Sequence, residues 1–401
     1  MPFSSNRQTG LVLLALWLMV FGSSSQIMII APILPQVGKL LHIPTALQGT
    51  LMTAYVACLA VFSLFIGPIS DKVGRRNILL LGTGSMSLSL LLHGFAFDYT
   101  SFLLVRALSG VSGGMLSGVA VAYVGDYFPY EKRGWANGWV MSGIAFGQVL
   151  GIPLGIVLSK HMGYKAPFYL FALPMLLSFA LVYFYVPQPN VQRSKQPLRF
   201  ASSLRLYLKL ILNPRTGAAI LAYFLMFMSL MLFVMFMPTW LTQTLHISQY
   251  EIAGMYAAGG VANILTGPKM GQLSDRIGRK LLILISCLGM AVLMLISTFV
   301  LKSAWIGYML YFITMMFVAM RMSPLQALLT ALVPGEQRGT FMSLTVGIGQ
   351  LGSSIGSAVA GLLFTHYGYL SNTVLSAILI TLMGLLVWWR IPEPSSHTAQ
   401  A

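Results

Sequence analysis

Gly67-Pro68-Ile69-Ser70-Asp71-Lys72-Val73-Gly74-Arg75-Arg76 and Gly271-Gln272-Leu273-Ser274-Asp275-Arg276-Ile277-Gly278-Arg279-Lys280 share Gly, Ser, Asp, Gly and Arg in one order, 204 positions apart. Working outward, Leu41-His42-Ile43 recurs as Leu245-His246-Ile247 at the same offset. Pro129, Glu131, Arg133 and Gly134 recur as Pro334, Glu336, Arg338 and Gly339, and His161 with Gly163-Tyr164 recurs as His366 with Gly368-Tyr369, both offset by 205. Matches in one order at nearly one spacing mark an internal repeat. The chain is therefore two related halves in tandem.

Each half is built for lipid. Of 401 residues, 57% are hydrophobic and 8% charged, against about 25% charged in a soluble domain. Apolar runs long enough to cross about 30 Å of hydrocarbon as helix place twelve spans near 10–33, 47–70, 77–97, 100–126, 134–160, 165–187, 214–241, 250–273, 280–301, 303–330, 338–364 and 369–391. The first run, with Arg7 before it and Ser23, Ser24 and Ser25 within it, imitates a secretion signal. It continues past Ile30 toward Pro35, beyond an h-region of about 7–15 residues, and is expected to be a span. The predicted fold class is all-α integral membrane: twelve transmembrane helices in two pseudo-symmetric six-helix bundles.

The net charge of +16 is scattered between apolar runs and lines no single face, which argues against a nucleic-acid partner. Cys58 and Cys287 sit singly inside apolar runs, without disulfide or metal-ligand spacing. No nucleophile–base pairing or phosphate loop occurs, so neither an enzyme, a metal nor a cofactor is expected.

An even span count puts both termini on one side. One set of loops and ends holds Arg7, Lys72, Arg75, Arg76, Lys132, Arg133, Arg193, Lys195, Arg199, Arg205, Lys209, Arg215, Lys269, Arg276, Arg279, Lys280, Arg338 and Arg390; the other holds Lys39, Lys160, Lys165 and Lys302. The positive-inside rule then places both termini in the cytoplasm. The polar stretch between the halves divides the chain into an N-terminal bundle (1–190), a cytoplasmic linker (191–212) and a C-terminal bundle (213–401). Residues 200–212 either lie as an amphipathic helix on the inner leaflet or extend helix 7.

The doubled decapeptide resembles the signature between helices 2 and 3 of major facilitator transporters, over a chain length of about 10–391. The resemblance implies two parallel six-helix repeats that alternate in access, with substrate bound near midplane. It implies a gating charge relay in which Asp71 and Asp126 share Arg75, with Gly67, Gly74 and Arg76 in the first copy and Gly271, Asp275, Gly278 and Arg279 in the second. Alternatively, Lys72, Arg75 and Arg76 only fix topology. Glu131 and Glu336 read most simply as helix-start acids.

Gly147, Gly151, Pro153 and Gly155 resemble the helix 5 motif of drug and sugar efflux branches, with the proline displaced by one from the commonest pattern; four-residue glycine spacing equally serves close packing. Arg106, with Leu103 and Gly110, resembles the helix 4 signature of the same branch, where the arginine is implicated in proton coupling. Ser109 stands where glutamine is common, and helix 1 offers Gln26 rather than a carboxylate.

All eight acids fall at helix ends, loops or the tail, whereas Arg106 and Arg321 lie within spans. Intramembrane charge is a functional-site hypothesis by default. The candidate substrate cavity is Gln26, Arg106, Tyr223, Asn263, Tyr311, Arg321 and Gln326, with helix–helix hydrogen bonding as the alternative role for its uncharged members. Helices 7 and 10 are rich in methionine, which suits an adaptable pocket or plain packing. The expected function is export of small amphipathic neutral or anionic compounds by a monomeric secondary transporter of a bacterial-type inner membrane, with a proton or other ion as coupling partner. Import or uniport of a small organic anion is the alternative.

Overall fold

The computed structural model describes residues 6–128, 130–189, 207–333 and 335–392, with only the backbone at some helical positions within them. Among these residues the chain is helix and connecting loop, without strands. The helices form twelve long elements. In the first half they are α1 (Asn6–Met28, continued as Ile30–Leu40), α2 (Thr50–Val73, preceded by Thr45–Gln48), α3 (Arg75–Leu92), α4 (Tyr99–Leu116 and Val119–Tyr127), α5 (Tyr130–Phe146, Gly147–Gly151 and Ile152–Met162) and α6 (Ala166–Phe184). In the second they are α7 (Pro214–Val234 and Met237–Thr244), α8 (Gln249–Ile277), α9 (Arg279–Val300), α10 (Ala304–Ala331), α11 (Gly335–Tyr367) and α12 (Tyr369–Arg390).

Eleven stretches are long and apolar enough to span a membrane. The remaining element, α8, has 29 residues, about 43 Å of helix, but carries Asn263, Thr266 and Lys269 and so has weaker hydropathy. Most of the linker expected at 191–212, the C-terminal tail beyond 392, and the side chains of Glu131 and Glu336 lie outside the described residues.

The sequence anchors mark where the backbone must leave a helix. His42 and His246 both have positive φ, 51° and 53°, a left-handed conformation in which histidine is enriched among residues with a Cβ. Gly74 and Gly278, at 104° and 101°, close α2 and α8, with their amides donating to Ser70 and Ser274 carbonyls at 2.9 and 3.1 Å. A Cβ is strongly disfavoured there. Gly163 and Gly368, at 85° and 74°, do the same work before α6 and α12.

Several predicted helices are interrupted, helix 2 at Gly49 among them. Helix 1 runs on to Leu40 as a second segment, with Pro32 in its first turn, where a missing amide costs little, and Pro35 in its interior. Helix 4 breaks at Gly118, whose φ is 75°. Residues Gly147–Gly151 form a π turn within α5. Helix 7 restarts at Met237 with Pro238 in its first turn, again the position that tolerates proline.

The described chain forms two compact units, Met1–Pro44 with Ala54–Leu198, and Thr45–Thr53 with Arg199–Ala401. In the first, α1 packs on α5 and α6, and α3 packs on α4 and α6. In the second, α7 packs on α11 and α12, and α9 packs on α10 and α12. Adding six to each helix number converts one pattern into the other. Within the second unit, Thr53 Oγ1 donates to the Ser354 carbonyl at 2.8 Å and Ser354 Oγ donates to the Thr53 carbonyl at 3.2 Å.

Candidate functional site

In the first unit the site grows from an absent side chain. Gly110 on α4 brings its backbone against the Tyr55 carbonyl on α2, a position a Cβ would occupy, and Gly113 leaves room for the Tyr55 ring. One turn earlier on the same face of α4, Arg106 meets that ring, its Cζ 4.6 Å from the centroid. Arg106 is fully buried, and its Nη1 donates to Gln26 Oε1 on α1 at 2.9 Å. A cation over an aromatic face gains about 0.5–2 kcal/mol depending on desolvation. That gain and the amide hydrogen bond hold the charge within the bundle, so Gln26 occupies the place where a helix 1 carboxylate was missed in the sequence.

Gln26 is seated by α5. A Cβ at Gly147 would stand 2.7 Å from Ser25 Oγ, and one at Gly151 would collide with the same hydroxyl. Gly155 abuts Ile29, while Pro153 follows the π turn in the first turn of the last α5 segment. π turns recur at functional sites, and this one lies against the residue preceding the arginine's hydrogen-bond partner.

Behind Arg106, Ser109 Oγ donates to Ser89 Oγ at 2.9 Å. His93 Nδ1 lies 2.8 Å from the Ser89 carbonyl, so Nδ1 carries the proton, and the ring stacks on Phe168 at 3.9 Å. Sequence reasoning missed Tyr55, Ser89 and His93. Each is brought to Arg106 or Ser109 by a neighbouring helix, and the helical stripe in α4 (Phe102, Arg106, Ser109) was the only signal available.

The second unit is different. Arg321 on α10 is 1% exposed, and among the described residues its Nε and Nη1 have no hydrogen-bond partner. An unmet buried donor costs about 1–3 kcal/mol, more when charged. Its electrostatic neighbour is the Cys287 thiol of α9, whose Sγ lies 3.4 Å from Met383 Sδ on α12. Tyr311 packs against Tyr256 with ring centroids 5.0 Å apart, in space left by Gly259. Tyr223 is buried beside the Gln326 side chain. Gln326 is exposed and Asn263 half-buried.

Among the gating candidates, Arg75 Nε meets Asp126 Oδ2 at 2.9 Å, with side chains 17% and 24% exposed. Arg76 donates from its backbone amide to Gln188 Oε1 at 3.1 Å and from Nη2 to the Tyr183 carbonyl at 2.7 Å. Gln188, not anticipated from sequence, also fills the space beside Gly74. Arg279 begins α9 directly after Gly278. The side chains of Asp71 and Asp275, and the surroundings of Gly67 and Gly271, lie outside what is described.

Two repeated six-helix units of membrane-spanning length, each with a buried arginine and with basic loops at the doubled signature, define a multi-pass membrane transporter. The chain belongs to the Major Facilitator Superfamily, which matches residues 16–268 and 219–401. It is 27% identical over 378 residues to the uncharacterized MFS-type transporter YceJ of Bacillus subtilis, covering 92% of this chain and 94% of that one. It is 26% identical over 386 residues to the multidrug resistance protein MdtG of Salmonella typhi, covering 93% of each. The crystal structure of a D-xylose-proton symporter superposes with a TM-score of 0.77 over 97% of this chain and 99% of that one, at 18% identity, a likeness of fold. Members of this family are transporters rather than enzymes.

Proposed function

We propose that the protein exports small amphipathic compounds, neutral or anionic, by alternating access. The observation that carries this reading is electrostatic: among the described residues the charges buried within the bundles are Arg106 and Arg321, and every acid of the sequence lies at a helix end, loop or tail. A low-dielectric pathway lined by fixed cations repels organic cations and attracts anions. Export is supported by the glycine-rich α5 motif and by the similarity to a relative named for multidrug resistance.

In this reading, residues 1–190 and 213–401 are two bundles joined by the linker 191–212, both termini are cytoplasmic, and the protein works as a monomer in a bacterial inner membrane. Gln26, Arg106, Tyr223, Asn263, Tyr311, Arg321 and Gln326 serve the solute. The doubled loops act as a latch whose breaking shifts the population between access states by the energy difference it supplied. Antiport with a proton is the coupling the resemblance suggests.

A second reading is uniport or import of a small organic anion, favoured by one feature: Arg106 is held by the neutral Gln26, which has no proton to release. Everted membrane vesicles separate the readings. Export gives energy-dependent accumulation of neutral or anionic dyes, whereas strong accumulation of organic cations that tolerates Arg321→Ala contradicts the proposal. Deletion that impairs growth on an organic acid without sensitising cells to toxic compounds supports the second reading.

A further inference from the structure

We propose that Arg321 is the docking point for the carboxylate of a small monoanionic solute, an assignment that rests on the transport reading above and narrows its substrate class. Residues 216–250, 252–268, 281–301, 303–320, 322–335 and 339–389 contain no Asp, Glu, Lys or Arg. Apart from Lys269, which is exposed on α8, Arg321 is the charge that the spans of the second half carry away from helix ends, and it stays protonated under all ordinary conditions.

The structure leaves this cation uncompensated. Among the described residues, Nε and Nη1 are buried without an acceptor, and the residue is 1% exposed. The backbone carbonyls that would anchor a purely structural arginine do not reach these two donors. Its electrostatic neighbour is the Cys287 thiol, a weak acceptor. A planar carboxylate supplies two strong acceptor oxygens in the geometry guanidinium prefers.

Charge decides the valence. One carboxylate brings the interior of the unit to neutrality, whereas a dicarboxylate or a phosphate dianion leaves a surplus negative charge in a medium that penalises it. A carboxamide or alcohol of equal shape leaves the cation unneutralised. The selectivity order is monocarboxylate, then neutral isostere and dianion, then ammonium.

The test uses the full-length chain with Cys58→Ser, which leaves Cys287 as the single thiol in the sequence, beside the proposed site. Purified protein in nanodiscs is treated with a small thiol-methylating reagent while a panel of linear and aromatic monocarboxylates, their carboxamides, dicarboxylates and amines is added. At least one monocarboxylate is expected to slow Cys287 modification and raise the unfolding temperature, binding about tenfold or more tighter than its carboxamide. Arg321→Gln removes that preference and Arg321→Lys retains part of it.

Equal protection by acid and amide, or protection unchanged in Arg321→Gln, overturns the carboxylate assignment. Protection data on the unsubstituted arginine decide the matter even where Arg321→Gln does not fold. Transport by the same protein in proteoliposomes separates the two levels. Movement of neutral solutes, equal in the parent and Arg321→Gln, leaves the transport reading standing and removes the carboxylate site. Failure of the parent to move any member of the panel removes the reading on which the site depends.

Discussion

The two units share a frame and differ in what they enclose. The frame is the same down to single backbone angles, with His42 and His246 within 2° of each other in φ. Gly74 and Gly278 close α2 and α8 at φ of 104° and 101°. The interiors do not match. Shifted by 205, Arg106 becomes Tyr311 and Asp126 becomes Ala331. Arg321 in turn corresponds to Leu116. Duplication therefore preserved helix ends and helix–helix contacts, which any six-helix bundle needs, while charge placement diverged, as expected where the two halves meet a solute or a gate differently.

The comparison breaks first at its glycines. Gly110→Leu drives a side chain into the Tyr55 backbone, and Gly352→Leu does the same at the Phe224 carbonyl. Because backbone has no rotamer to yield, both are expected to cost more than the usual overpacking penalty of about 1–3 kcal/mol, and equally. Thermal unfolding in nanodiscs checks this. Parent-like unfolding of either variant contradicts the close backbone approach at that glycine.

A smaller, asymmetric effect is expected inside. Gln26→Leu removes the acceptor of Arg106 Nη1 and costs about 1–3 kcal/mol, and Gln26→Glu restores the hold as an ion pair. Tyr311→Phe, at the related position of the second unit, removes only a hydroxyl and is expected to cost less than about 1.5 kcal/mol. Denaturation midpoints of the three variants sharpen the contrast, and equal losses for Gln26→Leu and Tyr311→Phe would remove it.

Much of this frame was legible from residues alone. Hydropathy located the spans and the doubled anchors marked helix ends, because lipid forces every span to be apolar and every helix end to be capped or turned. Arg75 and Asp126 were also foreseeable as a pair, since both lie at helix ends on the basic side. The neighbours of Arg106 were not. Tyr55, Ser89 and His93 reach the site through helix rotation and through gaps left by glycines, and neither leaves a periodic trace in such uniformly apolar sequence. The π turn at Gly147–Gly151 was hidden for the same reason, as its glycines read equally well as packing residues.

At the signature loops, Asp126→Asn breaks the Arg75 pair, which is partly exposed and so is expected to contribute about 0.2–1 kcal/mol to stability. Its larger consequence is on access states, which cysteine accessibility measures: Asp126→Asn and Arg75→Ala are expected to shift that distribution in the same direction, because each removes one side of the same pair.

The smallest effect is at Asp98, the α4 cap. Its carboxyl is held below its ordinary value by the Ser101 hydroxyl and backbone amide, which donate to or share the capping box. A lowered folded-state value means stability present above the ordinary carboxylate range, near about 3.9, and lost as pH falls through it. The unfolding temperature of Asp98→Ala is thus expected slightly below that of the parent at neutral pH, the gap closing in acid. A gap that widens in acid contradicts the sign.

The central claim, one duplicated frame with its charges assigned to different tasks, is tested most directly by proteoliposome transport of a neutral and a monoanionic solute through Arg106→Gln and Arg321→Gln. The expected result is that Arg106→Gln slows both solutes alike, while Arg321→Gln selectively slows the anion. Identical losses on both solutes in both variants would contradict it.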